Sequence, residues 1–404
     1  MQGHYAVKIN DLQYLHSILD DIEVDAGSYE YLLPKGMFHC IKLKRIPCRA
    51  ALIIKQEMLS KGGEAAISRN TLTLNGFSEG HTDVLLMGTK KHYQRLTEKL
   101  KVQQFGLKNL ADEIADIIDN SEQETLKLTL AGGKTLYLGK KTLIMGILNV
   151  TPDSFSDGGL YNNCAEAVNR ALEMAEEGAD IIDVGGVSSR PEAELADERT
   201  ELRRLLPVLE RLKTALPESV LVSVDTFRAK VAEECLKAGA DIINDIGRLQ
   251  MDKRLKDVIG SYKAPAVLMH NRMHFDQDRV YDDLIADIIG DLSQSIGEAL
   301  ASGVRKEQII IDPGLGFGKD LKQNCMIIKH LADFKSLGRP ILIGASRKSF
   351  IGGVLEAAVD QRLEGSLAAA AASIMNGANI IRVHDVKASK QMSMMLDMVN
   401  KNER

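Results

Sequence analysis

The sequence contains no tryptophan, and aromatic residues make up only 4% of its 404 residues. Surfaces that bind single-stranded nucleic acid use aromatic stacking and positive charge, whereas this chain has a formal net charge of −5. No apolar run approaches the ~20 residues of a membrane-spanning helix. The first residues also contain no apolar core of a secretory signal. We therefore expect a soluble globular protein that binds neither nucleic acid nor membranes.

Cysteine is scarce and scattered. The number of cysteines is odd, and no two of them form a Cys-X-X-Cys pair: Cys40, Cys48, Cys164, Cys235 and Cys325. This pattern is typical of proteins in a reducing compartment and does not fit a disulfide framework or a zinc site. We expect a cytoplasmic location.

From about residue 140 onward, short apolar runs alternate with amphipathic helical segments, as in parallel sheets with both faces covered. The eight runs are residues 143–150, 180–185, 220–225, 241–245, 265–270, 308–312, 340–344 and 379–384. This alternation predicts a (β/α)8 TIM barrel, whose typical size is ~250 residues. A doubly wound open sheet is the alternative, but the Gly-X-Gly-X-X-Gly turn expected after its first strand is missing. In the segment 227–238 the helical spacing makes Thr226 a candidate N-cap.

The barrel is preceded by two further regions. Residues 126–139 (LKLTLAGGKTLYLG) alternate around Gly132-Gly133, which predicts a β-hairpin that covers the amino-terminal end of the barrel. In residues 1–120, strand-like runs at 38–43 and 82–87 and helical runs at 90–102 and 107–118 predict a small α/β domain. We place the domain boundary at 120/121 and favour a structural or interaction role for the first domain over ligand sensing.

Polar residues follow the predicted strands at the end where barrel enzymes bind their substrates. Aspartate and asparagine there suit the amino and oxo edges of a flat heterocycle, while arginine, histidine and a hard-cation ligand suit a diphosphate with Mg²⁺. These strand-end residues are Asn149, Asp225, Asn244, His270, Asp312, Ser346, Lys348, Arg382 and His384. Residues 153–163 and 188–198 are predicted to form long loops that close over a substrate.

The motifs along the barrel resemble the dihydropteroate synthase family. They are MGILNVTPDSFSDGG (145–159), SSRPE (188–192), VSVDTF (222–227), INDI (243–246), LMH (268–270), DPGLGFGK (312–319), GASRKSFIG (344–352) and RVHDV (382–386). The resemblance implies a barrel enzyme that joins 6-hydroxymethyl-7,8-dihydropterin diphosphate to p-aminobenzoate. It further implies Mg²⁺ as cofactor, sulfonamides as competitors and a homodimer.

The resemblance also implies roles for individual residues. It places the pterin on Asp225, Asn244, Met269, Asp312 and Lys348. It places the diphosphate on Asn149, Arg382 and His384, with Asn149 on the Mg²⁺. The implied p-aminobenzoate pocket is Ser189, Arg190, Pro191, Phe317, Lys348 and Ser349. Asp157, beside Phe155 in the first loop, joins Asp225, Asp312 and Lys348 as a catalytic candidate.

The second loop departs from the family pattern. The family usually has glutamate, serine and threonine before Arg-Pro, whereas this chain has Val187-Ser188-Ser189, and Glu192 replaces a small residue. We expect these changes to raise the KM for p-aminobenzoate rather than to abolish activity.

Three other functions are weighed against the synthase. A pterin-binding barrel that transfers a methyl group would not need the SSRPE and SRKS segments, which we expect to bind a second substrate that carries a carboxylate. In a non-enzymatic pterin-binding scaffold, we expect the residues that bind the diphosphate to have been lost. Asn149, Arg382 and His384 are nevertheless present. A fused diphosphokinase or aldolase in residues 1–120 would bring His/Asp clusters or a phosphate loop, and neither is found there.

Overall fold

The structure is a computed structural model that describes residues 3–9, 11–73, 76–77, 80–150, 160–187, 197–273 and 280–400. The chain forms two compact units, Met1–Gln123 and Glu124–Lys401. The division lies three residues after the boundary placed from the sequence.

The first unit is an α/β domain built on a three-stranded antiparallel sheet, in which residues 81–89 form the central strand between residues 38–47 and 64–67. One sheet face packs on helices through fully buried side chains such as Val84, Leu86, Ile54, Leu96 and Ile114. The predicted strands and helices are present, whereas three helices before residue 61 were not predicted. The elements are α1 (Leu12–Asp21), α2 (Tyr29–Gly36), β1 (Phe38–Pro47), α3 (Cys48–Ser60), β2 (Glu64–Ile67), β3 (Leu72–Thr73), β4 (Gly76–Phe77), β5 (His81–Thr89), α4 (Lys90–Leu100) and α5 (Leu107–Glu122).

The second unit contains the predicted eight-stranded parallel barrel, which confirms the fold class. Its strands are β8 (Leu143–Asn149), β9 (Ile181–Gly185), β10 (Leu221–Asp225), β11 (Ile242–Asp245), β12 (Ala266–Met269), β13 (Ile309–Asp312), β14 (Leu342–Ile343) and β15 (Ile380–Val383). The sheet runs in the order β13-β12-β11-β10-β9-β8-β15-β14. A parallel bridge between Ile311 and Ile341 closes it, with the amide of Ile311 donating to the carbonyl of Pro340 at 2.9 Å.

Helices follow the strands on the outside of the barrel. They are α6 (Leu160–Glu176), α7 (Glu198–Ala215), α8 (Ala229–Lys237), α9 (Leu255–Tyr262), α10 (Leu284–Ala301), α11 (Leu321–Lys329), α12 (Ser349–Leu355), α13 (Leu363–Met375) and α14 (Val386–Asn400). The N-cap assigned to Thr226 is wrong, because α8 starts later and its N-cap is Arg228. The amide of Ala229 is bound instead by the Asp252 carboxylate at 3.0 Å.

A β-hairpin of β6 (Leu126–Thr129) and β7 (Thr135–Leu138) precedes the barrel, as predicted. Its buried Leu128, Leu130 and Leu138 pack against residues at the start of the barrel strands, including Leu143 and Leu221. The amino-terminal end of the barrel is thus filled with apolar side chains, which leaves the carboxyl-terminal end for chemistry. Among the described helices, none is both long and apolar enough to span a bilayer.

Candidate active site

The carboxyl-terminal ends of the barrel strands carry polar side chains that mostly have little contact with solvent. Asp225 and Asp312 end β10 and β13, and both are buried, as is Asn244 near the end of β11. Met269 ends β12 and is also buried. The parallel topology therefore brings together the residues that the resemblance assigns to the pterin.

Arg382, on β15, binds acidic residues of two neighbouring strands, β9 and β10. Its Nε donates to Asp183 Oδ2 at 2.6 Å, and its Nη2 donates to Asp225 Oδ2 at 2.9 Å. The amide of Asn244 donates to the same Asp183 oxygen at 3.0 Å. Arg382 thus lies among the expected pterin residues, whereas the sequence had placed it with the diphosphate group alone.

Asp183 is a site residue that the sequence analysis missed. It lies within β9 and is completely buried, and its Oδ1 has no hydrogen-bond partner in the part of the chain that the structure describes. A carboxylate in the middle of an apolar strand is costly to bury unless it is paired. That cost was the sequence signal that could have identified it.

The protonation of Asp225 is shifted by its surroundings. Burial raises the pKa of Asp225 to about 7, and the nearby Arg382 guanidinium opposes that rise. A carboxyl group whose pKa is near the working pH is typical of functional sites. The positive charge of Arg382 favours the ionised form of Asp225.

Asp312 and Lys348 form a second acid–cation combination across the mouth. Asp312 Oδ1 accepts from the amide of Gly314 at 2.7 Å. Burial raises the pKa of Asp312, and the Lys348 charge is the largest influence that lowers it. Burial lowers the pKa of Lys348 to about 8, and the charge of Asp312 opposes this.

The Lys348 side chain reaches over the loop that follows β13. Its Nζ donates to the carbonyl of Leu315 and lies 4.4 Å from the centre of the Phe317 ring. A cation over an aromatic face is held electrostatically. Lys348 therefore contacts one of the residues expected to bind p-aminobenzoate. Ser349 directly follows it as the first residue of α12 and is exposed.

His384 lies at the end of β15, beside the loop after β14. Its Nδ1 is 3.0 Å from Ser346 Oγ, and its backbone amide donates to the same oxygen at 3.2 Å. The next residues along both segments also pair, since Arg347 binds Asp385 at 2.6 and 3.1 Å. Ser346 thereby orients the His384 ring, a role that the sequence did not assign to it.

Asn149 ends β8 and is exposed at the mouth. Its Oδ1 would lie 3.4 Å from a Cβ added to Gly185, so the bare glycine leaves room beside the amide. Among the described residues, no three histidine, cysteine or acidic side chains form a ready-made metal cluster. A Mg²⁺ ion at Asn149 would take most of its oxygen ligands from a diphosphate and water, which is how Mg²⁺ is usually bound.

Several expected site residues lie outside the described residues. They are Phe155 and Asp157 of the first loop and Ser189, Arg190, Pro191 and Glu192 of the second. Their predicted roles stay predictions.

Buried acids lie beside Arg382 and Lys348 at the carboxyl-terminal mouth of a (β/α)8 barrel, which is where enzymes of this fold class have their active sites. The family model described as "Pterin binding enzyme" matches residues 145–384. The chain is 47% identical over 263 residues to a dihydropteroate synthase of Bacillus subtilis, a match covering 65% of this chain and 90% of that protein. The chain belongs to the pterin-binding enzyme family and, within it, to the dihydropteroate synthases.

Solved structures agree with this assignment. A dihydropteroate synthase from Clostridium difficile, solved in the presence of pteroic acid, has a TM-score of 0.63 and 46% identity, covering 66% of this chain and 99% of its own. The Xanthomonas albilineans enzyme with 4-aminobenzoic acid has a TM-score of 0.64 and 38% identity, covering 69% and 100%. A Yersinia pestis dihydropteroate synthase in a sulfonamide drug complex has a TM-score of 0.63 and 40% identity, covering 69% and 100%.

One relative matches beyond the barrel. A probable bifunctional folylpolyglutamate synthase/dihydropteroate synthase of Halobacterium salinarum is 40% identical over 384 residues, 91% of this chain. This match is longer than the second unit, so it extends into the first unit. The chain spans only 44% of that protein.

Proposed function

We propose that this dihydropteroate synthase joins 6-hydroxymethyl-7,8-dihydropterin diphosphate to p-aminobenzoate, giving 7,8-dihydropteroate and diphosphate for folate biosynthesis. The observation that carries the proposal is the pair of buried carboxyl groups at the mouth, Asp225 beside Arg382 and Asp312 beside Lys348. Each acid can accept hydrogen bonds from a heterocycle, and the neighbouring cation favours its ionised form against the effect of burial.

The acidic network would suit a pterin because, among the described residues, it leaves a buried acceptor without a protein donor. Asp183 Oδ1 has no partner among the described residues, and an unpaired buried acceptor is costly. N–H groups on the pterin edge would satisfy it, together with Asp225 and Asp312. The amide of Asn244, already directed by Asp183, would present its oxygen to the same ring.

The chemistry needs no covalent intermediate with the protein. The bond between the pterin methylene carbon and the diphosphate oxygen breaks, and its electron pair leaves with the diphosphate. The amine nitrogen of p-aminobenzoate then bonds to that carbon and loses a proton. Asp225 and Asp312 stabilise positive charge that develops on the ring and methylene, and holding both substrates in place supplies much of the rate.

The leaving group would be held where β8 and β15 end. Asn149 would supply an oxygen to Mg²⁺, His384 would donate to the diphosphate, and Arg382 would add positive charge. When bound, Mg²⁺ would neutralise charge on the diphosphate and so improve the leaving group. The fit rests on the exposed amide oxygen of Asn149 beside Gly185 and on the His384 ring fixed by Ser346.

The p-aminobenzoate site would lie on Phe317, Lys348 and Ser349, completed by Ser189, Arg190 and Pro191. Lys348 already contacts the Phe317 ring, so it joins the second-substrate pocket to the pterin acid Asp312. Sulfonamides would compete here, since they share the aniline and an acidic group with p-aminobenzoate. The catalytic set would include Asp157 as well as Asp225, Asp312 and Lys348.

We further propose that the enzyme is a cytoplasmic homodimer. All five cysteines are free thiols in the structure, in keeping with a reducing compartment. The last helix exposes Met394, Met395, Met398 and Val399, each more than half accessible. Apolar side chains grouped on one helix in this way are typical of a protein interface.

Diphosphate release by the full-length chain tests the function. The reaction would contain the pterin diphosphate and Mg²⁺, with and without p-aminobenzoate, beside an Asp312→Asn control. We expect release that depends on p-aminobenzoate and on Mg²⁺ and that the variant loses. Binding of the pterin with no release in the complete mixture would contradict the proposal and favour the methyl-transfer or scaffold function.

A further inference from the structure

A buried lysine outside the substrate-binding set joins two loops at the mouth of the barrel. Lys319 is 9% exposed. Its Nζ donates to the carbonyls of Gly314 at 2.8 Å, Phe317 at 3.0 Å and His270 at 3.5 Å. An ammonium group has three hydrogens to donate, so these carbonyls account for all of them. The lysine thereby ties the end of β12 to the loop that follows β13.

That loop is rich in glycine, and Lys319 is one of several groups that hold it, beside Asp312 on the amide of Gly314 and Asn324 on the amide of Gly316, each at 2.7 Å. Gly314, Gly316 and Gly318 alternate along it with φ values of +72°, +81° and +64°, which favour glycine. A Cβ on Gly314 would lie 1.9 Å from the carbonyl oxygen of His270, so the loop is pressed directly against the end of β12. Glycine-rich backbone is entropically costly to order, and the Lys319 contacts are available to offset that cost.

The loop carries two groups that contact Lys348. Leu315 offers its carbonyl to the Lys348 ammonium, and the Phe317 ring lies 4.4 Å from it. Because Lys319 holds Gly314 on one side of Leu315 and Phe317 on the other, a shift of the loop would move both groups. The acidic network of Asp183, Asp225 and Arg382 makes no hydrogen bond to this loop among the described residues.

We propose that Lys319 is a positioning residue that fixes Phe317 and Lys348 for the p-aminobenzoate side of the reaction, without contacting either substrate. The inference rests on the proposed function. Burial lowers the pKa of Lys319 to about 7, with the charges of Lys348 and Arg272 acting in the same direction and those of Asp312 and Asp291 against it.

The test compares Lys319→Met, which removes the donors at similar length, with Lys319→Gln, which keeps an N–H₂ donor group. Lys322→Met is the matched control, because Lys322 is exposed on α11 three residues further along. The readouts are kcat and the KM for each substrate, the dissociation constant of 6-hydroxymethylpterin measured by fluorescence, and the melting temperature.

For Lys319→Met we expect the KM for p-aminobenzoate to rise by about tenfold or more, the range of one or two lost charged hydrogen bonds. Pterin binding should weaken by a smaller factor than the KM for p-aminobenzoate rises, because Asp183 and Asp225 lie on the other network and only Asp312 is bonded to this loop, through the amide of Gly314. Lys319→Gln should recover part of the loss, and Lys322→Met should behave as the wild type. If Lys319→Met does not fold, the Lys319→Gln values carry the same comparison.

An unchanged KM for p-aminobenzoate in a folded Lys319 variant would overturn the positioning role. So would equal losses of pterin binding and p-aminobenzoate binding, since these indicate a general collapse of the site. A wild-type enzyme that does not consume p-aminobenzoate at all would instead refute the proposed function and remove the basis of this inference.

Discussion

Replacing Asp225 by asparagine should separate what this residue does for catalysis from what it does for folding. Asp225 is 8% exposed and donates nothing, while its Oδ2 accepts from Arg382 at 2.9 Å. The asparagine side chain has the same length and keeps one acceptor oxygen, but it carries no charge. The variant therefore preserves the shape of the site and removes the anion that the developing pterin cation requires.

The size of the effect on folding follows from the pKa. Burial raises the pKa of Asp225 from 3.8 to about 7. At 1.36 kcal/mol per pKa unit, the rise corresponds to about 4 kcal/mol of unfavourable free energy for the ionised form above pH 7. The Arg382 guanidinium loses part of its compensation in the variant, a cost of about 2 kcal/mol. We expect Asp225→Asn to be more stable by about 1–2 kcal/mol, or roughly 2–6 °C in melting temperature.

The gain should depend on pH in a defined direction. Because the folded pKa lies above the unfolded value, the folded wild type binds more protons between pH 4 and 7, and its stability falls as the pH rises through that window. The difference in melting temperature between variant and wild type should therefore be small near pH 4 and fully developed above about pH 7.

The assay is thermal unfolding at several pH values together with kcat for product formation. We expect kcat to fall by about 100-fold or more, the usual scale for removing one electrostatic stabiliser. Asp241→Asn is the matched control. Asp241 is a half-buried acid just before β11, at the end of that strand opposite the mouth, and accepts a hydrogen bond from the amide of Val222 at 2.8 Å. A less stable Asp225→Asn enzyme at pH 8 would contradict the cost assigned to the ionised form of Asp225, and nearly full activity would contradict its catalytic role.

Three further predictions use the same assays. Burial lowers the pKa of Lys348 to about 8, so kcat/KM for p-aminobenzoate should fall as the pH rises past 8 and Lys348→Arg should move that fall upward; an unmoved pH profile would argue against Lys348. Val187→Glu should lower the KM for p-aminobenzoate several-fold, measured by initial rates, and an equal or higher KM would show that the altered loop is not limiting. A chain of residues 124–404 should fold and keep activity within about threefold, because each unit has its own apolar core; an insoluble or inactive product would contradict that independence.

The barrel could be predicted from the sequence because its strands are buried on both faces. Each strand is a nearly continuous apolar run, and polar residues mark where it ends, so Asn149, Asp225 and Asp312 could be placed at the mouth without coordinates. The hairpin could also be predicted, since two runs of alternating apolar and polar residues flank Gly132-Gly133.

Other features depend on contacts between distant segments. Asp183 was missed because it lies inside a strand, and its importance comes from Arg382, almost 200 positions away. Thr226 was misjudged as a helix cap because the amide at the start of α8 is bound by Asp252, which no local pattern reveals. In the sequence, Lys319 was only the last residue of the DPGLGFGK motif, whereas in the structure its ammonium binds the backbone of its own loop.

The identity of the product tests the synthase activity most directly. Full-length enzyme would be incubated with the pterin diphosphate, Mg²⁺ and ring-labelled p-aminobenzoate, and the products would be separated and identified by mass spectrometry. We expect labelled 7,8-dihydropteroate formed in equal amount to diphosphate, with formation suppressed by a sulfonamide. Release of diphosphate with all of the label still in free p-aminobenzoate would contradict this expectation.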